Sequence, residues 1–464
     1  MKKSRIKLLK AKNGEYTARL KTYNEKQIFI HSRYNPSREA DRLISAYNID
    51  KKDNIIVFGF GLGYHVEKLL NLINKKQQIY LIVLNKDLFD ISVEVRKLKK
   101  LFFDKRLNVI MINNKKNVKL KLLDLLNNSK GKSVLIKHDP SIKIIPERLL
   151  FMKDILEDIN LVNNNQKRYG SEIEFNIIKN IESINKYISI NDFENVFYKK
   201  PFFIVSAGPS LEKNIDDLKQ IESKGIIISV DTALPKLINY DIIPDFTVSI
   251  DSVINTDNMF YDVINEIRIP LIFTLGTSRE VVSKFNGPKI IGLSKNELLM
   301  DKLDNKMNIG RIETGASVAS AALDFANKCG GDPLVLVGQD FALTNQGEVH
   351  AKNTIKNEKK LKESLLRKVE GVNQQEVYTS KGYYLLLRRF EKYVSDNNSK
   401  LFIDATEGGA KIKGAKIMNL STSINKFCHK CLNKNEIIDD IIYNNERNDF
   451  SVNNLKKIIK KELD

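Results

Sequence analysis

Tryptophan is absent from the 464 residues of this chain, and cysteine, histidine and proline are scarce, at 3, 5 and 10 residues. Three cysteines, Cys329, Cys428 and Cys431, make no disulfide framework and fit a reducing compartment. Two of them form a lone C-H-K-C, which without a second pair is weak evidence for zinc, and no metal site is expected. No run approaches the ~20 apolar residues of a membrane helix. The opening M-K-K-S-R-I-K-L-L-K-A-K-N carries charge without the apolar core of a signal peptide, so a soluble cytoplasmic protein is expected. Internal repeats, a P-loop, H-E-x-x-H and G-x-S-x-G are also missing.

What is abundant is lysine. Lys and Arg number 76 against 57 Asp and Glu, a formal charge of +19, which attracts anionic partners in general. The cations are scattered, and basic runs are no longer than pairs such as Lys99 and Lys100 or Lys460 and Lys461. A dedicated nucleic-acid tail is therefore not expected. Hydrophobic residues make up 42% and aromatics 8%, ample for globular cores, and the length suits two or three domains.

The stretch that organises the rest is P-F-F-I-V-S-A-G-P-S, Pro201 to Ser210, followed by L-E-K-N-I-D-D-L. An apolar run ends in small residues, then apolar positions return at Leu211, Ile215 and Leu218. This spacing predicts strand, tight loop and helix. Gly208 allows close backbone approach, Pro209 stiffens the bend and Ser210 is placed as N-cap, an arrangement suited to an anion such as phosphate. Further apolar strands are predicted at Ile226–Val230, Phe246–Ile250, Leu271–Leu275, Lys289–Leu293 and Leu334–Gly338, with helices between them. Such runs describe a parallel sheet covered on both faces, with ligands held beyond its carboxyl ends. Ser206 to Ser210, Asp231, Asp251 and Asp340 are expected along one rim. A second helix start is read at E-T-G-A-S-V-A, with Thr314 as N-cap and Gly315 allowing close approach. The polar segment after Asp340, carrying His350, is expected to act as a lid. Two helical stretches follow it, one from Gly382 to Tyr393. Leu401 to Gly414, containing D-A-T-E-G-G-A, reads as a strand and a glycine-rich turn, with Asp404, Thr406 and Glu407 serving either the turn itself, the favoured reading, or the acceptor side.

Before this lies I-I-V-F-G-F-G-L-G-Y-H-V-E-K-L-L, a β-α-β unit with glycines at 59, 61 and 63. A ribose-binding loop favours an acidic residue after the second strand, where this chain has Asn85. The fold class expected is α/β: an N-terminal Rossmann-like domain at 1–150, a helical connector at 151–200, a central Rossmann-like domain at 201–415 and a small helical C-terminal region at 416–464.

The motifs S-A-G-P-S-L-E-K-N-I, V-D-T-A-L, I-P-D-F-T-V-S-I-D, T-G-A-S-V-A, V-G-Q-D-F-A and D-A-T-E-G-G-A, with Y-N-P-S-R-E-A and G-F-G-L-G-Y-H before them, resemble in order the motility accessory factors (Maf), bacterial flagellin glycosyltransferases. The resemblance implies transfer of pseudaminic or legionaminic acid from its CMP-activated form to Ser or Thr of flagellin, with no cofactor beyond that donor. An oligomer is compatible with it. The central motifs are also similar to bacterial sialyltransferases that use CMP-sialic acid. On that pattern Gly208, Pro209, Ser210, Thr314 and Gly315 contact the nucleotide, and Ser206, Asp231, Thr232, Asp251 and Gln339 complete the candidate substrate contacts. The tyrosine pair that assists the departing phosphate in those enzymes has no counterpart at Phe341 and Ala342. His350 is the first candidate base and Asp340 the second. The rivals are a pterin pyrophosphokinase, with Mg²⁺ held by Asp231, Asp251 and Asp340, and a flagellin-binding escort without activity.

Overall fold

The computed structural model describes residues 6–445 apart from 23–25, 51, 113–132, 151, 153–155, 157–170, 183–186, 256, 296–299, 301–302, 306–307, 316, 357–365 and 374. The chain divides into two compact units, Met1–Asn163 and Asn164–Asp464. Among the described residues no helix is long and apolar enough to cross a membrane.

The first unit opens with an antiparallel meander of β1 (Ile6–Lys10), β2 (Tyr16–Lys21) and β3 (Gln27–Phe29). Helix α1 (Pro36–Ser45) follows, its Asn35 cap accepting from the Arg38 N–H. A four-stranded parallel sheet is then built from β4 (Asn54–Phe58), β5 (Gln78–Val83), β6 (Leu107–Met111) and β7 (Ser133–Lys137), in the order β6-β5-β4-β7. Helix α2 (Tyr64–Leu72) links β4 to β5, and α3 (Lys86–Val95) leaves β5 with Asn85 as its N-cap. The chain runs outward from β4 in one direction and returns to its other side as β7. The carboxyl ends of β4 and β7 therefore flank a switch point.

The second unit is built on one long parallel sheet. Its strands are β8 (Ile188–Ser189), β9 (Phe202–Val205), β10 (Ile226–Val230), β11 (Phe246–Ser249), β12 (Leu271–Thr274), β13 (Lys289–Ser294), β14 (Arg311–Ile312), β15 (Leu334–Val337), β18 (Phe402–Asp404) and β19 (Lys416–Ile417). The order is β14-β13-β12-β11-β10-β9-β15-β18-β19, with β8 pairing β13. Every residue of β9, β10, β11, β12 and β15 is buried, as strands covered on both faces require. Helix α4 (Val318–Lys328) presents Ala319, Ala321, Ala322 and Ala326 to the core, and its Phe325 ring meets Phe193 and Phe246 at centroid distances of 5.6 and 5.3 Å. Small residues let the helix lie close, and the aromatic cluster fills what remains.

Both sheets have the expected α/β, Rossmann-like character, and the predicted strands and the helix α5 (Lys381–Asp396) form. The other helical stretch expected after His350 is not seen among the described residues there, which leave out 357–365; β16 (Leu366–Glu370) and β17 (Glu376–Ser380) then form a hairpin. The stretch read as a helical connector holds a helix at 171–182 but then turns extended at β8, which enters the sheet. The C-terminal helices α6 (Leu420–Phe427) and α7 (Lys434–Asn444) are docked on the second unit's core through Leu420, Ile424 and Ile438.

Candidate functional site

In the second unit the chain leaves β9 for β10 on one side and later returns beside β9 as β15 on the other, so the switch point lies between β9 and β15. A cleft of about 160 Å³ sits there. Ser206 and Gly208 line it from the end of β9, Gly338, Gln339 and Asp340 from the end of β15, and Thr232 from the end of β10. The start of α4 adds Ser317, Val318 and Ala319, the segment after β15 adds Val349 and His350, and α5 adds Tyr383 and Leu386.

Backbone contact welds the two strand ends together. The N–H groups of Ser206 and Gly208 donate to the carbonyls of Val337 and Gly338, both at 2.8 Å, and the Ser206 hydroxyl donates to Gln339 Oε1 at 2.7 Å. A Cβ on Gly208 would fall 2.7 Å from Asp340 Cγ and against the Gly338 carbonyl, so glycine is required by close approach. Asp340 is buried, and both of its oxygens accept from Ser210: Oδ2 from the backbone N–H at 2.8 Å, Oδ1 from the hydroxyl. Burial pushes its carboxyl up to about 6, against the lowering effect of the Ser210 hydrogen bonds.

Ser206, Gly208, Thr232, Gln339, Asp340 and His350 are thus brought to one cleft, whereas Pro209, Ser210, Asp231, Asp251, Thr314 and Gly315 do not line it. Ser210 caps nothing: the α-helix after it runs only over Leu211–Asn214, and its side chain serves Asp340 instead. Thr314 is not a cap either. Ser317 holds the N-cap position of α4, its N–H donating to the Thr314 carbonyl at 2.8 Å, so one substantial helix N-terminus meets the cleft rather than two. Gly315, at φ +51°, turns its carbonyl to Arg389 at 2.7 Å.

Asp231 is buried behind Thr232, accepting from the Ser249 hydroxyl at 2.8 Å and the Thr232 N–H at 2.7 Å. Burial raises its carboxyl, and the charge of Asp251 raises it further. Asp251 is itself raised by burial.

The segment expected to be a lid is fastened to the rest of the unit. The Ala351 N–H donates to the Ala207 carbonyl at 2.8 Å and the Lys352 N–H to Glu212 at 2.7 Å. Glu212 in turn pairs at 2.7 Å with Lys236, whose side chain is only 2% exposed. His350 therefore stands on an anchored arm. The turn at Asp404 is structural as expected, with the Thr406 hydroxyl donating to Asp404 Oδ1 at 2.5 Å and the Ala410 N–H reaching the Asp340 carbonyl at 2.7 Å. Sequence reasoning missed Tyr383 and Leu386, although G-Y-Y-L-L-L-R-R-F carries large apolar residues at helical spacing.

The profile of the 6-hydroxymethylpterin diphosphokinase MptE-like family matches residues 175–346, which contain β9 to β15 and most of the cleft. No curated protein matches the chain in sequence. Among solved structures, the Maf glycosyltransferase from Magnetospirillum magneticum aligns with a TM-score of 0.52 at 13% identity, covering 96% of this chain and 74% of that one. This chain has the fold of a Maf glycosyltransferase. The alignment takes in residues of both units. At this identity the Maf fold is what the two chains share, and chemistry has to be argued from the cleft.

Proposed function

We propose that this chain is a glycosyltransferase that moves a nonulosonic acid, pseudaminic or legionaminic, from its CMP-activated donor to Ser or Thr hydroxyls of flagellin in the cytoplasm. The observation that carries this reading is the cleft between the ends of β9 and β15, faced at once by the N-terminus of α4 and by His350. Transfer from such a donor passes through an oxocarbenium-like state, which asks for stabilisation of a departing phosphate and removal of a hydroxyl proton. The N–H groups opening α4 serve the phosphate. His350 takes the proton. Small-molecule pockets run upward from ~300 Å³, so the cleft takes the phosphate and the adjoining sugar carbon, and the remainder of the donor lies over its mouth. The donor is the only small molecule this mechanism needs.

Incubation of the protein with CMP-pseudaminic or CMP-legionaminic acid and flagellin tests it. The expected outcome is CMP release together with a flagellin mass raised by one or more sugars. CMP binding without either product would reduce the protein to a flagellin escort. The MptE-like profile supports a second reading, pyrophosphoryl transfer from ATP to a hydroxymethylpterin, but Asp231 and Asp251 lie outside the cleft that Asp340 lines and both Asp340 oxygens are taken by Ser210, so the three carboxylates expected at Mg²⁺ are not brought together. Magnesium-dependent AMP formation with that substrate would replace the first reading with the second.

A further inference from the structure

The three buried histidines of the first unit stand where its sheet would hold a ligand. His138 follows β7 directly, His65 lies in the first turn of α2 beyond the glycine loop that ends β4, and His31 comes just after β3. All three are buried, at 3%, 0% and 4% exposure for His31, His65 and His138. Their rings are grouped, with centroids 4.7 Å apart for His31 and His138 and for His65 and His138. One ring nitrogen from each lies within 4.8 Å of the others. Among the described residues this is the one such group of three or more histidine, cysteine or acidic side chains.

The hydrogen bonds sort the ring nitrogens into outward and inward ones. His31 Nδ1 meets Glu39 at 3.0 Å, His65 Nε2 meets the Gly59 carbonyl at 2.9 Å and His138 Nδ1 meets the Ser141 hydroxyl at 2.6 Å. Of the opposite nitrogens, His65 Nδ1 and His138 Nε2 are buried with no partner, and His31 Nε2 accepts only from the Leu62 N–H at 2.9 Å. Buried polar atoms without a partner are rare and call for a bound water or ion. Imidazoles held on one nitrogen by a carboxylate, a carbonyl or a hydroxyl, with the other turned inward, have the outer support typical of metal-ligating histidine.

The glycine loop has been given over to this cluster. A Cβ on Gly61 would fall 2.5 Å from His31 Nε2 and 2.8 Å from His138 Cε1, and one on Gly59 would run into Ser141. The space left beside the loop is about 10 Å³, room for a water and far too little for a nucleotide.

We infer that His31, His65 and His138 form a binding site for one divalent transition-metal ion of the zinc class. Neutral imidazole selects zinc, cobalt, nickel or copper over magnesium and calcium, which prefer oxygen. Zinc–nitrogen distances of about 2.0–2.1 Å require the ligand atoms to draw together by roughly 1 Å, within reach of ring rotation. Binding takes the His31 Nε2 lone pair from the Leu62 N–H. The inference concerns the first unit alone and does not depend on the reaction proposed for the second.

The test is calorimetric titration of the full chain, stripped by chelator, with Zn²⁺ and with Mg²⁺, followed by X-ray absorption of the zinc-loaded protein. One zinc per chain is expected, no magnesium, and a first shell of nitrogen and oxygen only. Glu39→Gln, at a half-exposed position, should weaken zinc binding by about 10- to 100-fold by removing the support behind His31. His138→Gln should abolish it. Failure of the wild-type chain to bind zinc would overturn the inference and leave the two inward nitrogens to water. Sulfur in the shell would do so equally, by moving the metal to Cys428 and Cys431, as would wild-type affinity in His138→Gln.

Discussion

Asp340 and Ser210, 130 residues apart in the chain, are joined twice, backbone N–H and hydroxyl both donating to one buried carboxylate. The pair fixes the exit of β15 against the exit of β9, so the shape of the cleft depends on a contact that neither strand carries alone. Asp340→Ala would strand a buried donor and is expected to cost about 1–3 kcal/mol. Asp340→Asn keeps an acceptor for the N–H and should cost less. Gly208→Ala drives a Cβ into the Gly338 carbonyl and Asp340, and should cost a similar ~1–3 kcal/mol by overpacking. Urea midpoints followed by far-ultraviolet circular dichroism rank the three. Donor binding should weaken in Gly208→Ala well beyond its weakening in Asp340→Asn.

On the proposed reading His350 and Asp340, which line the same cleft, have different parts. Both carboxylate oxygens of Asp340 are engaged with Ser210, whereas His350 is held beside the cleft by the Ala351 and Lys352 backbone bonds. His350→Ala is therefore expected to lower transfer by 10²-fold or more, the ordinary worth of a general base, and to leave CMP affinity within a few-fold of wild type. Asp340→Asn should retain most of the transfer rate per folded molecule. Equal losses in the two variants would assign the proton to Asp340.

Strands β9, β10, β11, β12 and β15 were legible in the sequence because each is buried on both faces and reads as an unbroken apolar run. The rim of the sheet followed from the same pattern, which put Ser206, Gly208 and Asp340 together, although Asp231 and Asp251, expected on that rim, do not line the cleft. Caps were not legible in the same way. A serine or threonine before an apolar stretch looks alike whether it serves its own helix or a carboxylate elsewhere, and Ser210 serves Asp340. The hairpin of β16 and β17 alternates charged and apolar residues with little burial, leaving weak periodicity to detect. His31, His65 and His138 come from distant parts of the chain, and only the crossover of the first sheet brings them together.

Asp231 gives the unit a pH dependence. Burial, then the charge of Asp251, raises its carboxyl above the ordinary 3.8, and the Ser249 and Thr232 hydrogen bonds only partly oppose this. The native state then holds its proton more tightly than the unfolded chain does. Stability is greatest below the unfolded value and falls as pH rises from about 4 toward the raised native value, after which the loss is complete. Asp340 acts in the same direction, with its fall ending near its native value of about 6. Asp231→Asn removes the Asp231 part of the slope. It should raise the melting temperature at pH 8 relative to wild type and change it little at pH 4, as differential scanning calorimetry across that range would show.

The C-terminal helix α7 is fastened at the opposite end of the same sheet. Lys434 Nζ donates to Asp245 Oδ2 at 2.9 Å and to the Gly225 carbonyl at 3.0 Å, and the same Asp245 oxygen accepts from the Ile227 N–H at 2.7 Å. Gly225 and Asp245 directly precede β10 and β11, so the contact ties the amino ends of two central strands to a helix that lies some two hundred residues later. Both side chains are largely shielded, at 11% and 6% exposure, and removing one partner leaves the other charge buried alone. Lys434→Met is expected to destabilise the second unit by about 3–5 kcal/mol, while Lys434→Met with Asp245→Asn should recover a substantial part of that loss. A double-mutant cycle from denaturant unfolding measures the coupling. Because the cleft opens at the carboxyl ends of these strands, donor affinity of the folded fraction should stay unchanged in Lys434→Met, and a parallel loss of affinity would show that the two ends of the sheet are not independent.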